Sequence, residues 1–396
     1  MNDELKELYL CVRKESESIS QPLSSEDMQI QSMADASPIK WHLAHTSWAF
    51  ETFILKDQIK NYQAFDANFE YFFNSYYNAI GEQFPRAQRG LLSRPNNQTI
   101  TKYRKHVDIA MCELIENYEN SISKETIKLI TLLINHEQQH QELMLTDLKH
   151  ALFQNPTYPE YKPNSRSSLR NLYIDQPLTW IEFEAGLYDV GHQDESFHFD
   201  NEGPQHKYYL ESFKLASRLV TNGEYLKFME DGGYQDAKYW LSEAWGSIKD
   251  KKSMAPMYWI KKDNKWFQYT LFGLQPLDLN KPVQHINYFE ANAYATSVNK
   301  RLPTEQEWEV AAKNEQFKLN EMFNHLWQWT SSSYCAYPGF KIVNGAIGEY
   351  NGKFMVNQYV LRGGSKATPQ GHIRASYRNF FYPNASWQYT GLRLAE

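Results

Sequence analysis

Two histidines stand four positions apart in the stretch NHEQQHQELM, residues 135–144, within a run of helix-forming residues. Residues at this spacing share one helical face, so His136 and His140 can present two imidazoles to one metal ion. The alternative is a solvated polar face. Neighbouring leucines, among them Leu133 and Leu143, favour a bundle interior instead. Helical proteins build metal sites in such interiors, so the pair predicts a metal site.

A site of this kind needs a third ligand, and the sequence offers several. The stretch WHLAHTSW supplies His42 and His45, between which spacing alone does not choose. His106 and His150 stand among charged residues, which favours exposure. Three imidazoles without a carboxylate suit zinc, copper or Fe(II), and such a site would leave positions open for substrate and O2.

Four long helical patterns account for roughly the first 150 residues and predict a four-helix bundle. The second pattern, SPIKWHLAHTSWAFETFIL, has Ser37 as its expected N-cap and Pro38 at the first helical position. The fourth, KETIKLITLLINHEQQHQELMLTDLKHALF, contains His136 and His140. A long aromatic connection from about Asp57 to Asn97 predicts a functional loop.

The pattern changes after the bundle. Residues 155–177 are rich in Pro, Ser, Asn and Tyr and are typical of a linker. Short strand-like runs, turns, glycines and aromatics follow. We therefore expect an α+β protein with a helical bundle at 1–154, a linker at 155–177 and an irregular α+β domain at 178–396.

The composition limits the classes of function. The net charge of −6 without a basic block argues against a nucleic-acid partner. No apolar run approaches the roughly 18 residues of a membrane span, and the N-terminus lacks a signal-peptide core. Three cysteines far apart do not form a disulfide framework, which favours a reducing cytoplasm. Small-molecule substrates remain the expected partners.

Three stretches together resemble the iron-dependent sulfoxide synthases of ergothioneine biosynthesis: SPIKWHLAHTSW, FNSYYNAIGEQFPRAQRGLLSRP and HEQQHQELML. The run AIGEYNGKFMVNQYVLRGGSKATPQGHIRASYRNFFYPNASWQYTGLRLA is similar to the same family. The resemblance extends from about Pro38 to Ala395. It implies a DinB-like four-helix bundle followed by a domain of the formylglycine-generating-enzyme type, with a C-type-lectin-like fold. The stretches SRLVTNGEYLKFMEDGGY and KRLPTEQEWEVAA are similar to that second domain.

The resemblance also implies a metal site and its chemistry. It makes His45, His136 and His140 the three ligands of Fe(II), with O2 as a cosubstrate. Gln139 would hydrogen-bond the imidazole of the acceptor substrate. Glu142 is expected to support the site without binding the metal, because it points away from the histidine face.

Four residues of the aromatic connection gain roles from the same resemblance. Arg86 and Arg89 would hold the carboxylate of the sulfur donor, a task that suits a guanidinium fork. Tyr76 or Tyr77 would donate a proton or a hydrogen atom during the reaction. The residues themselves do not rank the two tyrosines.

The C-terminal stretch RNFFYPN would bind the acceptor, N-α-trimethylhistidine (hercynine). Asn379 and Phe380 match positions at its trimethylammonium and carboxylate end, and an aromatic lining suits a quaternary ammonium. Phe381 stands where relatives that use γ-glutamylcysteine carry an acid, which favours free cysteine as donor. The alternative is that these aromatics fill the domain core.

The sequence departs from the formylglycine-generating enzymes in two respects. No cysteines follow GGS, so the expected role of the second domain is that of a scaffold and pocket wall. Gln328 replaces an acid in the usual G-N-V-W-E-W form, which puts a structural cation site in doubt.

The predicted function is an Fe(II)- and O2-dependent synthase that joins the sulfur of cysteine to C2 of hercynine and gives a sulfoxide. One alternative is an enzyme of the same fold that uses γ-glutamylcysteine, a selenium sugar or histidine. Two others are a zinc-dependent thiol transferase and a non-catalytic ligand-binding module.

Overall fold

A computed structural model describes residues 2–116, 122–162, 177–249, 254–314, 316, 319–342 and 346–396. The chain forms two compact units, Met1–Thr157 with Val343–Tyr350, and Tyr158–Ile342 with Asn351–Glu396. Helices and sheets occur together, which confirms the α+β class. The predicted linker lies largely on residues 163–176, outside the described residues, and the predicted domain boundaries stay predictions.

Long helices build the first unit. The helices are α1 (Asn2–Ser20), α2 (Ile39–Phe50), α3 (Lys56–Gln58), α4 (Phe69–Phe73), α5 (Asn97–Glu116) and α6 (Lys124–Phe153). Among them, α1 and α2 each pack against both α5 and α6. A π-helical turn, Glu51–Leu55, continues α2. Every residue of α2 is buried, including the polar Lys40, Thr46 and Ser47, so this helix has no solvent-facing side.

The start of α2 differs from the sequence prediction, because Ser37 is not its N-cap. The helix begins at Ile39 after Pro38, and no side chain caps it. The Ser37 hydroxyl instead accepts a hydrogen bond from Arg89 Nη1 at 2.9 Å, and the Ser37 N–H donates to Asp147 Oδ2 at 2.8 Å. Tertiary hydrogen bonds have replaced the local cap.

A buried charge cluster joins α1, α5 and α6. The Glu137 carboxylate accepts hydrogen bonds from Arg13 at 2.9 Å, Arg104 at 3.1 Å and the Ser16 hydroxyl at 2.6 Å. Burial alone would raise the pKa of Glu137, but the two guanidinium groups outweigh it and bring the pKa to about 2. Because Glu137 directly follows His136, this cluster restricts the rotation of α6 about its own axis.

Short strands and four helices make up the described part of the second unit. The strands form sheets of order β10-β9-β8-β11, β5-β6-β7, β1-β4 and β2-β3. The strands are β1 (Trp180–Phe183), β2 (Gly186–Val190), β3 (His206–Leu210), β4 (Phe213–Ala216), β5 (Trp259–Lys262), β6 (Lys265–Thr270), β7 (Gly273–Pro276), β8 (Trp327–Ser333), β9 (Tyr359–Arg362), β10 (Asn379–Phe381) and β11 (Thr390–Gly391). The helices are α7 (Asn222–Glu230), α8 (Ser242–Lys249), α9 (Tyr288–Ser297) and α10 (Glu305–Lys313).

A buried ion cluster anchors the largest of these sheets. Glu305, at the start of α10, accepts from Arg378 Nε at 2.8 Å and Arg378 Nη2 at 2.9 Å. Arg362, at the end of β9, donates to Glu305 and to Glu309, each at 2.9 Å. Since Arg378 directly precedes β10, the cluster fixes the strand that carries Asn379, Phe380 and Phe381.

Gln328 occupies a fully hydrogen-bonded position on β8. Its Oε1 accepts from Trp308 Nε1 and from Arg393 Nε, each at 2.9 Å. Its Nε2 donates to the carbonyl oxygen of Met322 at 3.0 Å. The amide thus accepts and donates hydrogen bonds at once, whereas an ionised carboxylate could only accept.

No described helix is long and apolar enough to cross a membrane.

Candidate metal centre

Three histidines converge inside the first unit. His45 comes from α2, and His136 and His140 come from one face of α6. One ring nitrogen of each lies within 4.8 Å of those of the other two, and the side chains are 0%, 3% and 9% exposed. Among the described residues, no other set of three His, Cys, Asp or Glu side chains is grouped in this way. The structure therefore brings together the three residues that the resemblance implied as ligands.

Two of the ring nitrogens are as far apart as two ligands of one metal ion. His45 Nε2 and His136 Nε2 lie 3.3 Å apart. Two nitrogens bound at about 2.1 Å to one ion, at angles between right and tetrahedral, would lie roughly 3.0–3.4 Å apart. His45 Nδ1 lies 2.6 Å from the carbonyl oxygen of Phe73, which can only accept, so the proton is on Nδ1 and the lone pair is on Nε2.

Burial keeps the triad uncharged. It lowers the pKa of His45 and His140 well below the ordinary value, and it lowers the pKa of His136 to about 4. Neighbouring imidazoles lower the pKa values of His45 and His140 further. All three rings are therefore neutral near pH 7, which is the form that binds metal. A neutral all-nitrogen donor set fits a divalent transition metal.

Stacked aromatic rings hold His45 in place. Its imidazole lies between Trp41, with ring centroids 4.6 Å apart and an interplanar angle of 11°, and Trp48, at 5.4 Å and 18°. The Arg89 guanidinium carbon lies 3.4 Å from the centroid of the Trp41 ring. The four side chains form a stack that prevents the imidazole from rotating out of the site.

The two arginines of the predicted carboxylate site have different environments. Arg89 is 2% exposed, and its Nε is buried without a hydrogen-bond partner among the described residues. Burial holds the pKa of Arg89 well below its ordinary range. Arg86 is exposed, and its Nη2 donates to the backbone oxygen of Asp35. Arg89 is thus the buried cation of the pair.

The tyrosine pair lies on a loop that Asn74 shapes. The buried Asn74 amide donates to the backbone oxygens of Tyr77 and Gly81, each at 3.1 Å, and its Oδ1 accepts from the Tyr77 N–H. The rings of Tyr76 and Tyr77 lie 4.6 Å apart, and Tyr77 is fully buried while Tyr76 is half-buried. Tyr77 also packs on Trp48, with ring centroids 5.8 Å apart.

The Tyr77 hydroxyl is buried and makes no hydrogen bond of normal geometry among the described residues. Burial raises the pKa of Tyr77 well above its ordinary range, and Tyr76 raises it further. Tyr77 is therefore a neutral phenol near pH 7.

Residues 346–350 add contacts that the sequence did not indicate. The Tyr350 hydroxyl donates to Gln139 Oε1, and its ring centroid lies 5.7 Å from that of His136. The Glu349 carboxylate accepts from the backbone N–H groups of Asn78 at 3.1 Å and Ala79 at 2.9 Å. Tyr350 stands about two hundred positions from Gln139, so no local pattern could have paired them. The only signal was its place inside the resembling C-terminal run.

The remaining sequence candidates fall in two places. Asn379, Phe380 and Phe381 form β10 of the second unit and are all half-buried, and Phe380 stacks on Tyr334 with centroids 4.0 Å apart. His150 is 9% exposed and lies 2.7 Å from the Ser32 hydroxyl, so the expectation that it is exposed was wrong. The reason is its environment, because Ser32, in the segment between α1 and α2, contacts the imidazole.

Comparisons with known proteins identify relatives of this chain. The model of the "Sulfatase-modifying factor enzyme 1-like domain" matches residues 176–320. Hercynine oxygenase of Mycobacterium tuberculosis is 28% identical over 67% of this chain and 71% of its own length. Hercynine oxygenase of Mycolicibacterium thermoresistibile is 25% identical over 91% of this chain and 87% of its own. Formylglycine-generating enzyme of Bos taurus is 28% identical over 39% of this chain and 42% of its own.

Three observations together define an enzyme of the oxygenase class. They are the helical unit with its histidine triad, the sulfatase-modifying-factor domain and the hercynine oxygenase relatives. Relatives of this class imply that a metal ion and O2 take part. The chain is similar to hercynine oxygenases over most of its length, which confirms the resemblance to the sulfoxide synthases of ergothioneine biosynthesis found in its sequence.

Proposed function

We propose that this enzyme joins the sulfur of cysteine to C2 of the hercynine imidazole, with Fe(II) and O2. The C2–H and S–H bonds are replaced by a C–S bond, one oxygen atom of O2 becomes the sulfoxide oxygen, and the other leaves as water. The observation that carries this proposal is the buried triad of His45, His136 and His140, whose rings are neutral and whose nitrogens converge. The relation to hercynine oxygenases supports the choice of substrates.

The three histidines would hold the iron. When bound, Fe(II) would supply open coordination positions and pass electrons from the two substrates to O2. The chain's own contribution is rigidity. The Trp41 and Trp48 rings fix His45, and the Arg13, Arg104 and Glu137 cluster fixes the helix of the other two ligands. Such preorganisation keeps the ligand nitrogens in place during turnover.

Arg89 is the group that we assign to the donor carboxylate. A buried guanidinium whose Nε lacks a partner would gain a charge-assisted hydrogen bond when a carboxylate arrives. Arg86, which is exposed nearby in the same turn, adds positive charge. Phe381 supports cysteine as the donor, because an apolar ring has no polar or charged group to bind the extra charged groups of γ-glutamylcysteine.

Gln139 and Tyr350 are the groups that we assign to the acceptor imidazole. The Tyr350 hydroxyl donates to Gln139 Oε1, which orients the Gln139 amide so that its Nε2 can donate to a substrate nitrogen. Tyr77 is the group that we assign to proton donation, because its phenol is buried, neutral and near Trp48 at the triad.

The direct test uses metal-free protein reconstituted anaerobically with Fe(II) and then mixed with cysteine, hercynine and O2. We expect one O2 consumed per turnover and a product whose mass equals both substrates plus one oxygen atom minus two hydrogens. Parallel reactions with γ-glutamylcysteine, histidine and a selenium sugar separate the alternatives. Activity with Zn²⁺, or no O2 uptake with Fe(II), would overturn the proposal.

The carboxylate assignment has its own test. Arg89→Ala should raise the KM for cysteine by at least about tenfold, since a charge-assisted hydrogen bond contributes roughly 1.5–3 kcal/mol. Arg86→Ala should raise it less, because that side chain is exposed. Arg94→Ala, an exposed arginine whose guanidinium donates to the backbone oxygen of Ser93, is the matched control and should leave the KM unchanged. An unchanged KM in Arg89→Ala would contradict the assignment.

A further inference from the structure

We propose that His42 and Asp147 form a hydrogen-bond relay that orients His140 as a metal ligand. His42 Nδ1 lies 2.8 Å from His140 Nδ1, and His42 Nε2 lies 3.2 Å from Asp147 Oδ2. His42 is 2% exposed and Asp147 is 4% exposed, so the relay is shielded from water. The inference rests on the metal site of the proposed function and adds two positioning residues to it.

The donors and acceptors of the relay follow from its chemistry. An ionised carboxylate only accepts, so His42 Nε2 donates to Asp147. A neutral imidazole has one donor and one acceptor, so His42 Nδ1 must then accept from His140 Nδ1. The proton of His140 is therefore on Nδ1, and its lone pair is on Nε2. With the opposite assignment, His140 Nε2 would carry a hydrogen and could not bind a metal.

The three ligands differ in what their Nδ1 atoms contact. His45 donates to a neutral backbone carbonyl, that of Phe73. His136 Nδ1 is buried with no hydrogen-bond partner among the described residues. Only His140 is linked to a negative charge, that of Asp147. A carboxylate at the end of such a chain raises the basicity of the ligand nitrogen, so His140 is the strongest electron donor of the three.

The carboxylate also has a structural contact, which the test must separate from the relay. Asp147 Oδ2 accepts from the Ser37 N–H at 2.8 Å, just before α2. An Asp147→Asn side chain can keep that contact through its amide oxygen. It has no negative charge, however, that could act on His140 through His42. A purely structural role therefore predicts that Asp147→Asn leaves metal binding intact.

The experiment measures Co(II) binding to the full-length, metal-free protein by competition with a chelating dye. We expect Asp147→Asn and His42→Phe to raise the Kd for Co(II) by about 10- to 100-fold. Asp27→Asn is the matched control, because the Asp27 carboxylate also accepts from a backbone N–H, that of Ser24 at 3.1 Å, in the same helical unit, and it belongs neither to the triad nor to the Glu137 cluster. It should keep the wild-type Kd.

A second readout reports on the relay itself. In the Co(II) protein, the His140 Nδ1 proton should give a hyperfine-shifted NMR signal that exchanges slowly with water. His42→Phe should lose this protection, and Asp27→Asn should keep it. If His42→Phe does not fold, Asp147→Asn alone decides through its Kd. A wild-type Kd in Asp147→Asn refutes the relay, whereas no Co(II) binding by the wild type refutes the metal site as well.

Discussion

Replacing Glu305 by glutamine should destabilise the second unit strongly, because this carboxylate is the centre of its buried ion cluster. Glu305 is 1% exposed and accepts four hydrogen bonds, two from Arg378, one from Arg362 and one from the Tyr337 hydroxyl. Arg362 would keep its second carboxylate, Glu309, at 2.9 Å. The interactions that the substitution weakens most are therefore those of Arg378.

The magnitude follows from the partners that Arg378 would keep. These are the backbone oxygens of Asn201 and Cys335, each at 2.9 Å. A glutamine amide would also direct an N–H group at one arginine nitrogen. Breaking a buried ion pair by removing one charge costs about 3–5 kcal/mol. Typical domains have about 5–15 kcal/mol of stability in total, so the loss is a large part of the reserve.

Hydrogen exchange measured by mass spectrometry is the suitable assay, because peptides from β8 and β9 report on the second unit alone. A loss of about 3–5 kcal/mol should speed their exchange by roughly two to nearly four orders of magnitude. Asp231→Asn is the matched control. That carboxylate pairs with Lys227 on the surface, where both side chains are mostly exposed, and its removal should leave the exchange unchanged.

The effect should also depend on pH. Burial alone would raise the pKa of Glu305, but Arg378 and Arg362 outweigh it and lower the pKa. A carboxyl whose pKa is lower in the folded state stabilises the protein above its unfolded pKa of about 4.3 and loses that contribution as pH falls through the folded value. The difference between wild type and Glu305→Gln should thus be full at pH 7 and shrink below about pH 4. A change in exchange under tenfold at pH 7, or a difference independent of pH, would refute the reasoning.

Three further predictions concern other parts of the chain. Gly363→Ala should destabilise the second unit by at least about 3 kcal/mol, because its φ is +100° and a methyl group would clash with the Met322 carbonyl oxygen. Gly246→Ala, in open space on α8, should instead stabilise by about 0.5–1 kcal/mol, and urea unfolding compares the two. Metal at 100 times its Kd should add about 2.7 kcal/mol to wild-type stability and nothing to His136→Ala, as thermal unfolding can show. Phe380→Leu should raise the KM for hercynine about 2- to 30-fold by losing a cation–π contact of roughly 0.5–2 kcal/mol, with an unchanged KM for cysteine; steady-state kinetics that show the reverse would contradict the assignment.

The sequence predicted the ligands of the candidate metal site better than the hydrogen bonds that orient them. The four-residue step placed His136 and His140 on one face of α6 because helical geometry is local. Spacing could not choose between His42 and His45, since every residue of α2 is buried and both rings point inward. What separates them is a long-range contact, because His42 meets Asp147 of α6. Only the family resemblance selected His45.

Residues that act through tertiary contacts were harder to predict. Ser37 satisfied every local rule for an N-cap. Its hydroxyl nevertheless accepts a hydrogen bond from Arg89, and its N–H donates to Asp147. Glu137 was one residue beside a predicted ligand, and its two buried arginine partners come from other helices. In each case the deciding partner is far away in sequence, where propensity and spacing contain no information.

The position of residues 346–350 has a consequence for how this protein can be divided. The chain leaves the helical unit after residue 157 and returns almost two hundred residues later to supply Glu349 and Tyr350. A gene fragment that ends at residue 157 would therefore encode all three triad histidines but not the tyrosine beside Gln139. Recombination that exchanges the second half between relatives would exchange this tyrosine too. The helical unit is therefore not encoded by one continuous stretch of the gene.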